Sequence, residues 1–182
     1  MNTEYLVARI GQIKIGIDCH DILNVYRQKL KIIPISNQDP IYAGITSLAK
    51  QTLPVIDLRK RAHMQPAAAS DIHNIITFQT GTIRQLAILV DDILGMEGIS
   101  ATSIQKANTN LHNQQNNLNL LFPMIAILKD HSLLHIMDST YLDNLKPIDE
   151  DSGELELWRP RKLSATPTPA VRCCDVISRT QY

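Results

Sequence analysis

At 182 residues the chain is long enough for one domain, or for two small ones sharing a core, and buries about two-thirds of its unfolded surface without needing staples. Its 18 lysines and arginines balance 18 aspartates and glutamates, and aromatics are few: one Trp, two Phe and five Tyr. That balance argues against a nucleic-acid or anionic-membrane partner and leaves little with which to stack bases.

Three cysteines, Cys19, Cys173 and Cys174, do not make a disulfide framework. No apolar run approaches the ~20 residues of a membrane span, and the first residues lack the charged start and apolar stretch of a signal peptide. A reducing cytoplasm is the expected setting.

In chain order, Tyr5–Ile10 reads as a strand. After Gly11, Ile13, Ile15 and Ile17 alternate with polar or small residues and share one buried face. Ile22, Val25 and Tyr26 fall at helical spacing over one or two turns. Ile32-Ile33-Pro34-Ile35 is extended, and its proline marks an edge or an irregular stretch. Ile45–Leu48 and Leu53–Ile56, broken by Ala49-Lys50-Gln51, form a hairpin. Asp57 then caps a short helical turn, on which Arg59-Lys60-Arg61 form an outward charged face.

Residues 62–72 read as a connector. Ile75–Phe78 and Leu86–Val90 predict a second hairpin around Gly81, ended by Asp91-Asp92. Ser100–Ile104 is a turn or helix start, and residues 108–119, with six asparagines and two glutamines, a solvated loop. Met124–Leu128 and Leu133–Met137 form a last hairpin, after which Asp138-Ser139-Thr140 cap a helix carrying Tyr141, Leu142 and Leu145. From Ile148 onward, acidic residues and scattered prolines with one Trp, Trp158, cannot bury enough to fold alone, which predicts a flexible tail over 148–182.

Two internal echoes organise these elements. Ile17-Asp18 followed by Asp21-Ile22-Leu23-Asn24-Val25 resembles Leu89-Val90-Asp91 followed by Asp92-Ile93-Leu94-Gly95-Met96, and Leu53-Pro54-Val55-Ile56-Asp57 resembles Leu134-His135-Ile136-Met137-Asp138. Each half then holds about five short strands, and small strands of this kind escape exposed edges by curling into barrels. The expected fold is mostly β: two tandem five-stranded β-barrels with short helices over residues 1–147, with about 1–65 and 72–137 contributing the halves.

The chemistry that would make an enzyme is missing. There is no Gly-rich phosphate loop and no nucleophile elbow. His131 and His135, four apart, flank a strand and lack a third metal ligand. Asp91-Asp92 as paired acid–base carboxylates is weighed against a strand end with a cap, and the cap is favoured. Cys19 reads as a small buried hydrophobe. No catalytic residue, metal or cofactor is expected.

Several segments together resemble the CheW-like domain family. Tyr5-Leu-Val-Ala-Arg-Ile-Gly, Ile15-Gly-Ile-Asp and Ile22-Leu-Asn-Val are similar to its opening. Pro40-Ile-Tyr-Ala-Gly-Ile-Thr-Ser-Leu, Leu53-Pro-Val-Ile-Asp-Leu-Arg and Ile88-Leu-Val-Asp-Asp-Ile-Leu-Gly-Met come after these in order, so that the resemblance runs from about Tyr5 to Leu145. It implies paired five-stranded barrels and a non-enzymatic adaptor in bacterial chemosensory arrays, joining the cytoplasmic tip of a methyl-accepting receptor to the regulatory domain of a CheA-type histidine kinase. The receptor-contact positions it implies are Ile22, Asn24, Val25, Gly44, Ile45, Ser47, Leu48, Ala49 and Lys50, those at the hairpin tip (Leu48, Ala49, Lys50) being exposed. The kinase-contact positions are Ile93, Leu94 and Met96.

One departure from the family pattern stands out. Where the family reads Asn-Leu-Arg-Gly, this chain has Ser47-Leu48-Ala49-Lys50, without the forked arginine or the turn glycine. That departure and the long tail suit an accessory adaptor, such as one in a type IV pilus (twitching) system. An alternative from another class is a small-molecule or metal sensor using a barrel pocket, with His135 and Cys19 as ligands.

Overall fold

The computed structural model of the chain describes residues 2–35, 40–61, 64–66, 72–79, 85–107 and 121–145. The expected tail at 148–182, with Trp158, Cys173 and Cys174, lies outside the described residues, as do the asparagine-rich 108–119 and most of the connector.

Strands β1 (Asn2–Ile10) and β2 (Ile13–Asp18) form an antiparallel hairpin turned at Gly11, with Ile10 opposite Ile13. The chain then makes one 3-10 turn, Cys19–Asp21, and enters β3 (Ile22–Lys29). The helical spacing of Ile22, Val25 and Tyr26 is misleading. The segment is a strand because it pairs along β6 (Ile72–Gln79), from Ile22 opposite Phe78 to Lys29 opposite Ile72. A run this short satisfies either period, and the long-range ladder decides.

β4 (Tyr42–Leu48) and β5 (Gln51–Ile56) form the expected hairpin, followed by a four-residue helix α1 (Leu58–Arg61). β6 and β7 (Gln85–Val90) pair antiparallel, and β8 (Asp92–Ser100) comes directly after. Beyond a 3-10 turn at Ala101–Ser103 lie β9 (Ile104–Lys106), β10 (Met124–Ile127), β11 (Leu133–Ile136) and helix α2 (Thr140–Asp143).

The ladders combine into a six-stranded sheet, β8-β1-β2-β11-β10-β9, and a five-stranded sheet, β3-β6-β7-β5-β4. Each sheet draws on both halves of the sequence. β3 leaves the β1–β2 hairpin to pair with β6, and β8 leaves the β6–β7 hairpin to pair with β1. β5 lies parallel to β7, and β11 lies parallel to β2. The internal echo is therefore a repeat of topology in which the third strand of each unit is exchanged.

Among the described residues neither ladder closes: they show two mixed sheets, and the expected pair of five-stranded barrels is not confirmed. In the five-stranded sheet, closure would need β3 to pair with β4. Instead Ile33, beyond β3, makes a single bridge to Ile45, with N–H···O distances of 2.8 and 2.9 Å in the two directions. Pro34 comes next and has no amide to extend the ladder.

Alternation assigns each strand face to one of three apolar clusters. Tyr5 and Val7 point into a cluster under the six-stranded sheet with Ile99, Leu134 and Ile136. Leu6, Ala8 and Ile10 point the other way, into the large cluster between the sheets, with Ile15, Ile17, Ile56, Ile76, Phe78 and Ile88. Leu48, Leu53, Val55, Ile75 and Ala87 fill the inside of the five-stranded sheet. β1 is apolar without interruption from Tyr5 to Ala8 because both of its faces are covered.

Candidate functional site

The nominated residues fall into two places. Ile22 and Val25 on β3, Ile93 and Met96 on β8, and Cys19 from the 3-10 turn are all half-buried and pack on the cluster between the sheets. The turn before β3 meets β8 where Cys19 Sγ lies 3.9 Å from Met96 Sδ. Positions assigned to different partners thus border the same apolar cluster. Both strands are bulged here: Leu23 is the extra residue between Ile22 and Asn24, and Leu94 the extra residue between Ile93 and Gly95. The bulge turns Leu94 outward, 46% exposed. Asn24 is half-buried, and its carbonyl accepts from Thr77 Oγ1 at 3.2 Å.

The second group lies on β4, at the opposite edge of the five-stranded ladder from β3. Gly44 is buried under the Ile33 backbone, and Ile45 is half-buried and bridged to Ile33. Ala49 and Lys50 form the tip with φ of 48° and 67°, the left-handed pair that a two-residue hairpin of the mirror-image type I kind requires. Ser47, Ala49 and Lys50 are exposed. Leu48 is not: at 2% exposure it belongs to the sheet's inner cluster, because residues 46 and 48 share the face of β4 that points inward. The expected exposed tip is thus reduced by one residue.

The outward basic face expected of α1 also needs correction. Arg59 is buried, 3% exposed, and forks between two carboxylates: Nη1 donates to Asp57 Oδ1 at 3.0 Å, and Nη2 to Asp91 Oδ1. Asp91 Oδ2 accepts from the Gly11 amide at 2.6 Å, and its backbone N–H donates to the Arg9 carbonyl at 2.8 Å. Asn74 Nδ2 reaches the Asp91 carbonyl at 2.7 Å. Asp91 therefore ties the β1–β2 turn, α1 and β6 to the point where the chain passes between sheets. Asp92 turns elsewhere, to an exposed pairing with Arg9 at 3.7 Å and to the Ile93 amide. The two aspartates do not act as a dyad. No sequence signal separates Arg59 from an ordinary charge run, since its second partner is 32 residues away.

Asp57 and Asp138 play equivalent local parts. The Asp57 amide donates to Ile41 O and the Asp138 amide to Leu121 O, and each side chain accepts from the amide two residues on.

His135 and Cys19 do not converge. His135 sits on β11 opposite Ile15 of β2, and Cys19 is four residues further along that direction, about 13 Å away. Among the described residues no group of three or more His, Cys, Asp or Glu is placed to hold a metal. The His135 ring stands edge-on to Phe122, with centroids 6.0 Å apart. Burial lowers its pKa from the usual 6.5.

This sets the sign of a pH effect. On acidification the unfolded chain takes up the proton first, so the stability associated with neutral His135 is present above about pH 6.5 and is lost as pH falls through the lower folded value. Urea midpoints of His135→Gln should fall less steeply than wild type between about pH 6.5 and 5. His20, raised by its bond to Asp18, works in the opposite direction but is common to both proteins and fully exposed. Parallel curves would show that His135 is solvated.

Among the described residues no helix is long and apolar enough to cross a membrane. A family model described as CheW-like domain matches residues 4–143. Among curated proteins, no sequence matches the chain. Among solved structures, the chain is similar to the scaffolding protein TtCheW from Thermoanaerobacter tengcongensis, with a TM-score of 0.64 and 22% identity over 76% of this chain and 90% of that one.

Proposed function

This chain belongs to the CheW-like domain family, and we propose that it is a non-enzymatic adaptor of a bacterial chemosensory array. In this reading it couples the cytoplasmic tip of a methyl-accepting receptor to the regulatory domain of a CheA-type histidine kinase, working in the cytoplasm at receptor arrays. The observation that carries the reading is the half-buried apolar border that the exchanged strands give to the cluster between the sheets. Ile22, Val25, Ile93 and Met96 are half-buried there, and Leu94 stands out from its bulge. A helical hairpin presents ridges of apolar side chains that such a border can receive. The separate engagement of Asp91 and Asp92 supports a role in binding over one in catalysis.

The pilus assignment is the finer part of the proposal. Its support is the tip, where Ala49 and Lys50 replace the family's arginine and glycine and the fork is lost. Modest contacts suffice when many copies assemble in an array.

The test is titration of the purified protein with a receptor cytoplasmic fragment and with a kinase regulatory domain. Both should bind. Leu94→Glu, at an exposed site, is expected to weaken kinase binding about tenfold, roughly 1.4 kcal/mol, with an unchanged unfolding midpoint. Ala49→Arg should alter affinity for the receptor. Binding of neither partner sinks the adaptor reading, and full-strength kinase binding by Leu94→Glu removes β8 from the contact.

A further inference from the structure

We infer that the exposed strip along Arg27, Lys31, Ile33 and Lys50, at the open edge of the five-stranded sheet, docks a partner protein's helix that carries carboxylates one turn apart. The proposal does not rest on the adaptor reading and holds whichever protein supplies the helix. Although the whole chain has a net charge of zero, its two sheets carry charge unequally. β3, β4, β5, β6 and β7 contain no aspartate or glutamate. The six-stranded sheet, by contrast, carries Glu4, Asp18, Asp92 and Glu97 on β1, β2 and β8.

Packing fixes where the cations point. Tyr26, Leu30 and Ile32 turn into the cluster inside the sheet. Arg27, Lys31 and Ile33 alternate with them and share the face of Val25, past the end of the cluster between the sheets, where all three are exposed. The bridge from Ile33 to Ile45 lays this stretch along β4, as does the bond from Thr46 Oγ1 to the Lys31 carbonyl at 2.9 Å. Lys31 thus lies between that bridge and the tip at Lys50. Arg27, Lys31 and Lys50 make no ion pair or side-chain hydrogen bond among the described residues. Lys29 is already engaged and is not counted in the site. Like charges gathered at one edge repel one another, and a bound run of carboxylates removes that cost.

Spacing and chemistry together select the occupant. Four residues of extended chain place Lys31 about 13 Å from Arg27, and Ile33 lies about 6.6 Å beyond it. On a helix, residues four apart share a face and rise about 6 Å, so carboxylates at i, i+4 and i+8 with an apolar residue one turn further match that line. Ile33, 51% exposed, sets the strip apart from an ordinary solvated charge run. No aromatic residue on these strands is exposed for a base to stack on. Three cations at about 1 kcal/mol each hold an anionic membrane only weakly. An acidic helix meets both the charges and the isoleucine.

The probe is a labelled synthetic helix with glutamates at i, i+4 and i+8 and a leucine one turn further, titrated with the full-length protein at low salt and read by fluorescence anisotropy. It should bind, and less tightly as salt is added. The same helix with glutamines for glutamates should not bind. Lys31→Glu/Lys50→Glu, at exposed positions, should weaken binding at least about tenfold, and Ile33→Ser severalfold. Lys106→Glu/Lys129→Glu makes the same change of net charge on β9 and the β10–β11 turn and should leave binding unchanged. An equal loss in that control overturns the proposal, because the attraction is then to overall charge. Full binding by Lys31→Glu/Lys50→Glu, or by the glutamine helix to the unaltered protein, overturns it too. So does tighter binding of phosphatidylserine vesicles or a thymidine oligomer at the same lysines, which would assign the strip to lipid or nucleic acid.

Discussion

Arg59→Leu is expected to cost about 3–5 kcal/mol, the range for removing one partner of a buried ion pair, and to lower the urea midpoint accordingly. The side chain is 4% exposed and its partners Asp57 and Asp91 are 15% and 24% exposed, so solvent screens the group poorly. Without the guanidinium, two carboxylates are left facing each other. Asp91 keeps only the Gly11 amide on its other oxygen. Lysine should rescue only in part, because a single ammonium nitrogen cannot stand in the places of both Nη1 and Nη2.

The loss is one of imbalance, since a buried pair has little net value over apolar packing. Removing the stranded charges as well should therefore recover stability. Arg59→Leu/Asp57→Asn/Asp91→Asn is expected to be more stable than Arg59→Leu alone, a non-additivity that a mutant cycle measures directly. A loss below about 1 kcal/mol for Arg59→Leu would match a surface pair and contradict the burial.

Gly44→Ala should be the other severe substitution. A Cβ at this position would lie 2.1 Å from the Ile33 carbonyl oxygen and 2.7 Å from its carbon, both backbone atoms that cannot swing aside. The φ of 148° adds strain that only glycine avoids. Relief requires Ile33 to withdraw, which breaks both hydrogen bonds of its bridge to Ile45. The expected loss is on the order of 3 kcal/mol, with the Ile45 amide losing protection from hydrogen exchange. Gly95→Ala is the control. Its φ is 137°, but nothing lies within 4 Å of the added carbon, so the loss should stay near the backbone strain, about 1–2 kcal/mol. Equal losses at the two glycines would mean that the close approach of Ile33 contributes nothing.

Much of the local structure is legible in the residues themselves. The alternation of Ile13, Ile15 and Ile17 marks β2, the Ala49-Lys50-Gln51 break marks the β4–β5 turn, and the aspartates at 57 and 138 cap the turns they precede. The echo between the two halves foretells a repeat. These features depend on residues within a few positions of one another, which periodicity and turn chemistry report directly. The candidate site is only partly legible. The spacing within β3 suggests the wrong period, and the hairpin tip suggests the wrong side of the strand for Leu48. The inward face of β4 is fixed by the curl of a whole sheet, which no window around Leu48 contains.

The sequence by itself determined the strands whose pattern is local, β1, β2, β4 to β7, β10 and β11, the hairpins that neighbours among them form, and the family to which the chain belongs. The tertiary structure alone decided that β3 and β8 change sheets, that the ladders are open among the described residues, and that Arg59 lies inside. Each of these is settled by partners far away in the chain: Phe78 for Ile22, Met96 for Leu6, Asp91 for Arg59. An apolar face states that a segment must be covered and says nothing of what covers it. That choice belongs to the arrangement burying all three apolar clusters at once, where the free energy of packing is collective.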